Sequence, residues 1–186
     1  MNNEGCDIVD KIRINFKKAE TKKCSEAGCN LRLDNLGSFV ALKGEITIKN
    51  PCFNDLVSDL VKKPGDDPRI CDYIIIKANG DIIVGLIELK SHKPSASIIK
   101  EQLENGSKIA LELLKNLMFT FSKHNFFPIV LAQSWNATVF RKLSDSYVMD
   151  TRIIPKKCGD SFVEIIHKEK QKRERELQSK KQKKRR

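Results

Sequence analysis

The chain has 186 residues, 35 Lys or Arg against 24 Asp or Glu, a formal net charge of +11 and 40% hydrophobic residues. That length and apolar content suit one domain with a buried core and room for an appendage. No apolar run approaches the ~18 to 20 residues needed to cross a bilayer, which excludes a helical membrane span. The opening "MNNEGCDIVDKIRINFKK" lacks the basic-then-apolar layout of a secretory signal, so an intracellular, cytoplasmic protein with no membrane partner is expected. In that compartment the six cysteines, at 6, 24, 29, 52, 71 and 158, are expected to be reduced.

In chain order, residues 8–16 carry apolar side chains at positions compatible with either helix or strand. "CSEAGC" spaces Cys24 and Cys29 as tetrahedral zinc tolerates, but no second tight pair accompanies it, so loop or buried thiols are the default. "SFVALKGEITIK" alternates as a strand does, with Ile46 and Ile48 continuing the even face and Gly44 a bulge. "NPCFNDLVSDLVKKPG" has helical spacing, Asn50 as cap, Pro51 in the first turn and Pro64-Gly65 at the end. Residues 71–90 then form two apolar runs about Asn79-Gly80, a hairpin signature.

A long helix follows, with Ser97 a candidate cap and Ile99, Leu103, Ile109, Ala110, Leu113, Leu114, Leu117 and Phe121 at helical spacing; Asn105-Gly106 weakens its middle. "FFPIVLAQ" (126–133) reads as a compact buried strand. "ATVFRKL", "TRIIPKK" and "SFVEII" read as further short strands. Strand, crossover helix and strand in that order imply a right-handed βαβ unit, with the last strand parallel to the one holding Glu88. The expected fold is therefore α/β, with a central mixed β-sheet over 1–166 and a tail from 167 to 186, helical or disordered. The tail holds eleven Lys/Arg and three Glu, a net of +8, which leaves +3 on the other 166 residues. Lys180, Lys181, Lys183, Lys184, Arg185 and Arg186 could bind nucleic acid by charge alone, or simply be solvated.

Charged groups interrupt the hairpin at its open end. Asp72 begins the first run, and Glu88 and Lys90 close the second. Charges at the ends of buried strands are costly unless paired or bound to a metal. Two carboxylates brought close repel each other, and a divalent cation relieves that repulsion. Glu88 and Lys90, two apart on a strand, share a face. Whether Asp72 joins them depends on register. A two-residue Asn79-Gly80 loop pairs residues summing to 159 and puts Asp72 on the wrong face. A three-residue loop gives 160 and sets Asp72 opposite Glu88, and a bulge at Gly85 or a strand-end bend is the other route. Asp81 is no substitute, because it lies about 23 Å from Glu88 along the same strand.

Asp72, then "IELK" from Ile87 to Lys90, then the crossover helix and strand resemble the PD-(D/E)xK nuclease superfamily over positions 50–133. Cys71 stands where that motif has proline. The resemblance implies a restriction-endonuclease-like fold and a Mg²⁺-dependent phosphodiesterase, with Mn²⁺ able to substitute. It makes Asp72 and Glu88 metal ligands and gives Lys90 the role of positioning or activating water. Gln102, in "KEQLENG", resembles the helical glutamine some members hold near the active site. Many members add an acidic ligand from an N-terminal helix, for which Glu20 and Glu26, then Asp55 and Asp59, are candidates. The implied activity is nucleic-acid cleavage, with a DNA endonuclease in phage defence, restriction or repair favoured. The alternative is a non-cleaving nucleic-acid-binding or adaptor protein that uses the same fold and the basic tail. A free nuclease endangers its cell, so a regulatory protein partner or a homo-oligomeric switch is expected. Lys93, Lys100 and Lys108 could line a phosphate path. His92 and Trp135 each have a functional and a structural reading, phosphate contact or loop for the first and base stacking or core and rim for the second; His124 reads as a turn residue.

Overall fold

The computed structural model describes residues 4–61, 66, 68–79, 81–90, 95–119, 122 and 125–183. Its centre is a six-stranded mixed sheet in the order β1-β4-β5-β6-β7-β10. Helix α1 (Glu4–Asn15) leads to β1 (Glu20–Thr21), a small ribbon of β2 (Cys24–Glu26) and β3 (Cys29–Leu31), and β4 (Phe39–Lys43). Next come α2 (Gly44–Thr47), a 3-10 turn at Pro51–Phe53 and α3 (Asn54–Leu60). The hairpin is β5 (Tyr73–Asn79) and β6 (Asp81–Lys90), followed by α4 (Ala96–Asn116), β7 (Phe126–Ala132) and α5 (Ala137–Ser144). Strands β8 (Tyr147–Val148), β9 (Thr151–Arg152) and β10 (Ile154–Lys157) precede α6 (Phe162–Lys183).

Both faces of the sheet are covered, which is why its central strands are apolar at successive positions. Even-numbered residues of β5 and β6 (Ile74, Ile76, Val84, Leu86) join Ile8, Val9 and Ile12 of α1 and the buried stripe of α4 in one core. Odd-numbered residues (Ile75, Ile83, Ile87) join Phe162, Ile165 and Ile166 of α6 and the β2–β3 ribbon in the other. Strand β7 runs parallel to β6, with Glu88 level with Val130, as the crossover argument requires. The hairpin pairs Tyr73 with Ile87 and continues without a break to Asn79 and Asp81, so paired residues sum to 160. The turn's Gly80 lies outside the described residues.

Several expectations are corrected. Gly85 makes no bulge; a Cβ there would strike the Phe162 ring of α6, so glycine serves that close approach. Gly44 is not a bulge either, but the start of α2. Its N–H donates to the Asp72 carbonyl at 2.9 Å, and a Cβ would collide with the Cys71 carbonyl. Ile46 and Ile48 therefore do not continue a strand. "ATVFRKL" is helix α5, because Asn136 Oδ1 accepts from the N–H groups of Thr138 and Val139 and caps it. "SFVEII" is the first turns of α6, where Phe162, Ile165 and Ile166 are spaced i, i+3, i+4 onto the sheet. The Asn50 cap is as read: its side chain accepts from Cys52 N–H. The end of that segment, Pro64-Gly65, lies outside the described residues.

The cysteines also differ. Cys29 and Cys158 are joined in a disulfide that ties the β2–β3 ribbon to the chain after β10. The disulfide takes Cys29 out of the Cys24–Cys29 zinc pair. Cys24 is buried, and burial, then the Asp72 charge, pushes its thiol up to about 12. Among the described residues, no helix is long and apolar enough to cross a membrane.

Candidate functional site

The site forms where β5 begins and β6 ends. The register of 160, carried one step past the Tyr73–Ile87 pair, sets Asp72 beside Glu88. Backbone hydrogen bonds lock the three together. Asp72 N–H donates to Glu88 Oε2 at 3.2 Å, and Leu89 N–H donates to Asp72 Oδ2 at 2.6 Å. The Lys90 ammonium lies against Glu88 Oε1 in an ion pair. Glu88 is wholly buried, while Lys90 keeps 27% of its side chain exposed.

These surroundings perturb all three groups. Burial, then the neighbouring Glu88 charge, pushes the Asp72 carboxyl up to about 8. Burial lifts Glu88 to about 7 against the opposing pull of Lys90. Burial alone would lower Lys90, but Glu88 chiefly, with Asp72 and Glu26, outweighs it and holds the ammonium above its ordinary value. Lys90 is thus a cation here and no ready proton acceptor. Two adjacent carboxyls that resist ionising suit a bound cation, which would stabilise both charges at once. Among the described residues, no group of three or more His, Cys, Asp and Glu side chains is arranged to hold a metal. Any ion would rest on Asp72 and Glu88 with water and substrate oxygens, a pattern Mg²⁺ accepts.

A strap, residues 69–71, carries Asp72 into place along the middle of α4. Cys71 N–H donates to the Gln102 carbonyl at 3.1 Å. Gln102 Nε2 donates to the Ile70 carbonyl at 3.3 Å, and Asn105 Nδ2 to the Arg69 carbonyl at 2.7 Å. Gly106 leaves room for Cys71 Sγ, where a Cβ would collide. The Asn-Gly pair that weakens the helix in isolation is therefore the seat of the strap. Sequence reasoning missed Cys71, Asn105 and Gly106 in this role. Two poor helix formers kept at adjacent mid-helix positions are the signal that could have found them. Gln102 borders the same cavity as Asp72, and its Oε1 is buried with no hydrogen-bond partner among the described residues.

A cavity of about 600 Å³ opens next to Asp72. Gln102, Glu26, Glu45 and the cations Lys43, Lys49 and Arg69 all border it. Of the candidates for an additional acid, Glu26 on the ribbon is near enough to add its charge to Asp72 and Glu88. Glu20 is held by Arg13 at 2.9 Å, and Asp55 and Asp59 are exposed on α3 away from the cavity.

Among the described residues, the other sequence candidates are not brought to this place. Lys100 pairs with Glu104 at 3.5 Å on an exposed face of α4, and Lys108 is exposed on the same helix. Trp135 donates its indole N–H to the Lys156 carbonyl at 2.8 Å and meets Phe140 edge-on, a structural role. Helix α6 leaves the Ala132 end of β7, where Cys158 N–H bonds the Ala132 carbonyl, and reaches the Phe126 end, where Arg173 bonds the Phe126 carbonyl. Ala132 is level with Lys90 and Phe126 with Val84. Lys180, Lys181 and Lys183, at the far end of α6, are thus carried away from the acidic pair. Lys93, Lys184, Arg185, Arg186, His92 and His124 lie outside the described residues. No family model and no curated protein matches the chain.

Proposed function

We propose that this protein is a Mg²⁺-dependent phosphodiesterase that cleaves nucleic acid, with a DNA endonuclease of restriction-endonuclease-like, PD-(D/E)xK type the favoured form. One observation carries this reading: Asp72 and Glu88 meet at neighbouring strand ends with Lys90 on the same face. Asp72 and Glu88 would hold the ion, and Lys90, still protonated, would orient water and stabilise charge on the phosphate. When bound, Mg²⁺ supplies Lewis-acid stabilisation of a phosphoryl oxygen and a more acidic water. Gln102 helps hold the strap that places Asp72. The overall change is hydrolysis: water oxygen bonds to phosphorus, and the bond to the leaving sugar oxygen breaks.

The test is incubation of plasmid, single-stranded DNA and RNA with wild type and Lys90→Ala in Mg²⁺, Mn²⁺ or EDTA. Wild type should cut in Mg²⁺ or Mn²⁺ but not in EDTA, and Lys90→Ala should lose on the order of 10²-fold or more. Equal inactivity of both proteins on every substrate would instead favour the non-cleaving binding or adaptor reading.

A further inference from the structure

Building on the nuclease reading, we infer that the cavity beside Asp72 seats one unpaired nucleotide next to the phosphate to be cleaved. The substrate is then single-stranded nucleic acid, or a locally unpaired stretch of duplex. At about 600 Å³ the cavity falls within the roughly 300–1,000 Å³ typical of small-ligand sites. Its walls divide by chemistry. Ile48, Pro68 and Ile70 present apolar surface, and Lys43, Lys49 and Arg69 supply positive charge. Extruded bases are held between apolar or aromatic side chains, and cations along the backbone hold single strands without reading sequence.

A base stacked within a duplex cannot enter a concave site without leaving the helix. The cavity shares Asp72 with the acidic pair, so a nucleotide seated there brings its phosphate to the reacting groups. Arg69 pairs with Glu101 at 3.5 Å but remains more than half exposed. Gln102 brings an acceptor, Oε1, that has no partner among the described residues. Glu26 and Glu45 also border the space, so the phosphate enters favourably only with a divalent cation present.

Binding is measured by fluorescence anisotropy with Ca²⁺ replacing Mg²⁺, using labelled single strands of DNA and of RNA and the corresponding blunt DNA duplex, all at one salt concentration. The full chain should bind at least one strand about 10-fold or more tighter than duplex, a gap well above error in affinity. Tight binding of the DNA strand, the RNA strand or both bears the proposal out and identifies the sugar tolerated. The Lys43→Ala/Lys49→Ala double variant should weaken strand binding by about 10-fold and leave duplex binding, driven by charge elsewhere, little changed. Ile48→Trp, which fills the cavity, should act alike; if it fails to melt cooperatively, the double lysine variant decides. Duplex binding as tight as strand binding, or strand affinity unmoved in the double lysine variant, overturns the proposal. Cutting of intact duplex without strand preference also overturns it and leaves the nuclease reading standing. Strand-selective binding with no cleavage does the reverse.

Discussion

Replacing Glu88 with glutamine keeps the shape of the site and removes one titrating group. In the native fold Glu88 is lifted from 4.5 to about 7, chiefly by burial. At about 1.36 kcal/mol per pH unit, that is roughly 3 kcal/mol of folding free energy. The sign follows from linkage: a carboxyl with a raised folded pKa binds its proton more tightly in the native state. Its contribution is fully present below 4.5 and is lost as pH rises through about 7. In EDTA the wild type should therefore lose stability relative to Glu88→Gln between pH 4.5 and 8. For a chain of this size, roughly 3 kcal/mol corresponds to about 6–12 °C in Tm. Lys90, held above its ordinary pKa, stays charged across this range and shifts the level of the comparison rather than its slope. Asp72, raised partly by the charge of Glu88, relaxes in the variant and widens the gap. Millimolar Mg²⁺ should recover the wild-type loss at pH 8 and leave Glu88→Gln nearly unmoved. Parallel Tm curves for the two proteins in EDTA would refute the account of a strained acidic pair.

Further outcomes follow from the scaffold. Gly106→Ala drives a Cβ into Cys71 Sγ and should cost about 1–3 kcal/mol in denaturant unfolding; adding Cys71→Ala should restore most of it. Cys158→Ser breaks a cross-link spanning 129 positions and should cost about 2–5 kcal/mol, which a reductant titration of wild-type Tm should reproduce. Deleting 167–186 removes a net +8 and should weaken nucleic-acid binding while flattening its salt dependence; an unchanged salt slope would count against the basic tail as a binding element.

The hairpin, the crossover helix and the parallel strand were legible because long apolar runs between turn signals have few alternatives. Register was not. Ile74, Ile75 and Ile76 face Val84, Gly85 and Leu86, apolar or bare on both sides of the sheet, so alternation has nothing with which to choose a sum of 159 or 160. What distinguishes them is Gly85 beneath Phe162, a contact between residues 77 positions apart. Helices α5 and α6 were misread because "ATVF" and "SFV" have strand-like side chains; in α5 the Asn136 cap outweighs that preference, and in α6 burial of Phe162 against the sheet does. The triad of Asp72, Glu88 and Lys90 was visible as charge where apolar residues should end. Its support was hidden, since Arg69, Asn105 and Gly106 matter only through one another. The Cys29–Cys158 bond was equally invisible across so long a separation.

That bond makes the chain a closed covalent ring with two free arms. The whole β5–β6–β7 unit and the acidic pair lie inside the ring; α1 and α6 lie outside it. Pulled from outside the ring, the oxidised molecule could extend only the segments before Cys29 and after Cys158, at no more than about 3.6 Å per residue. The segment bearing Asp72 would be shielded from tension until a reductant opened the loop, so the mechanical extensibility of this protein is set by its redox state.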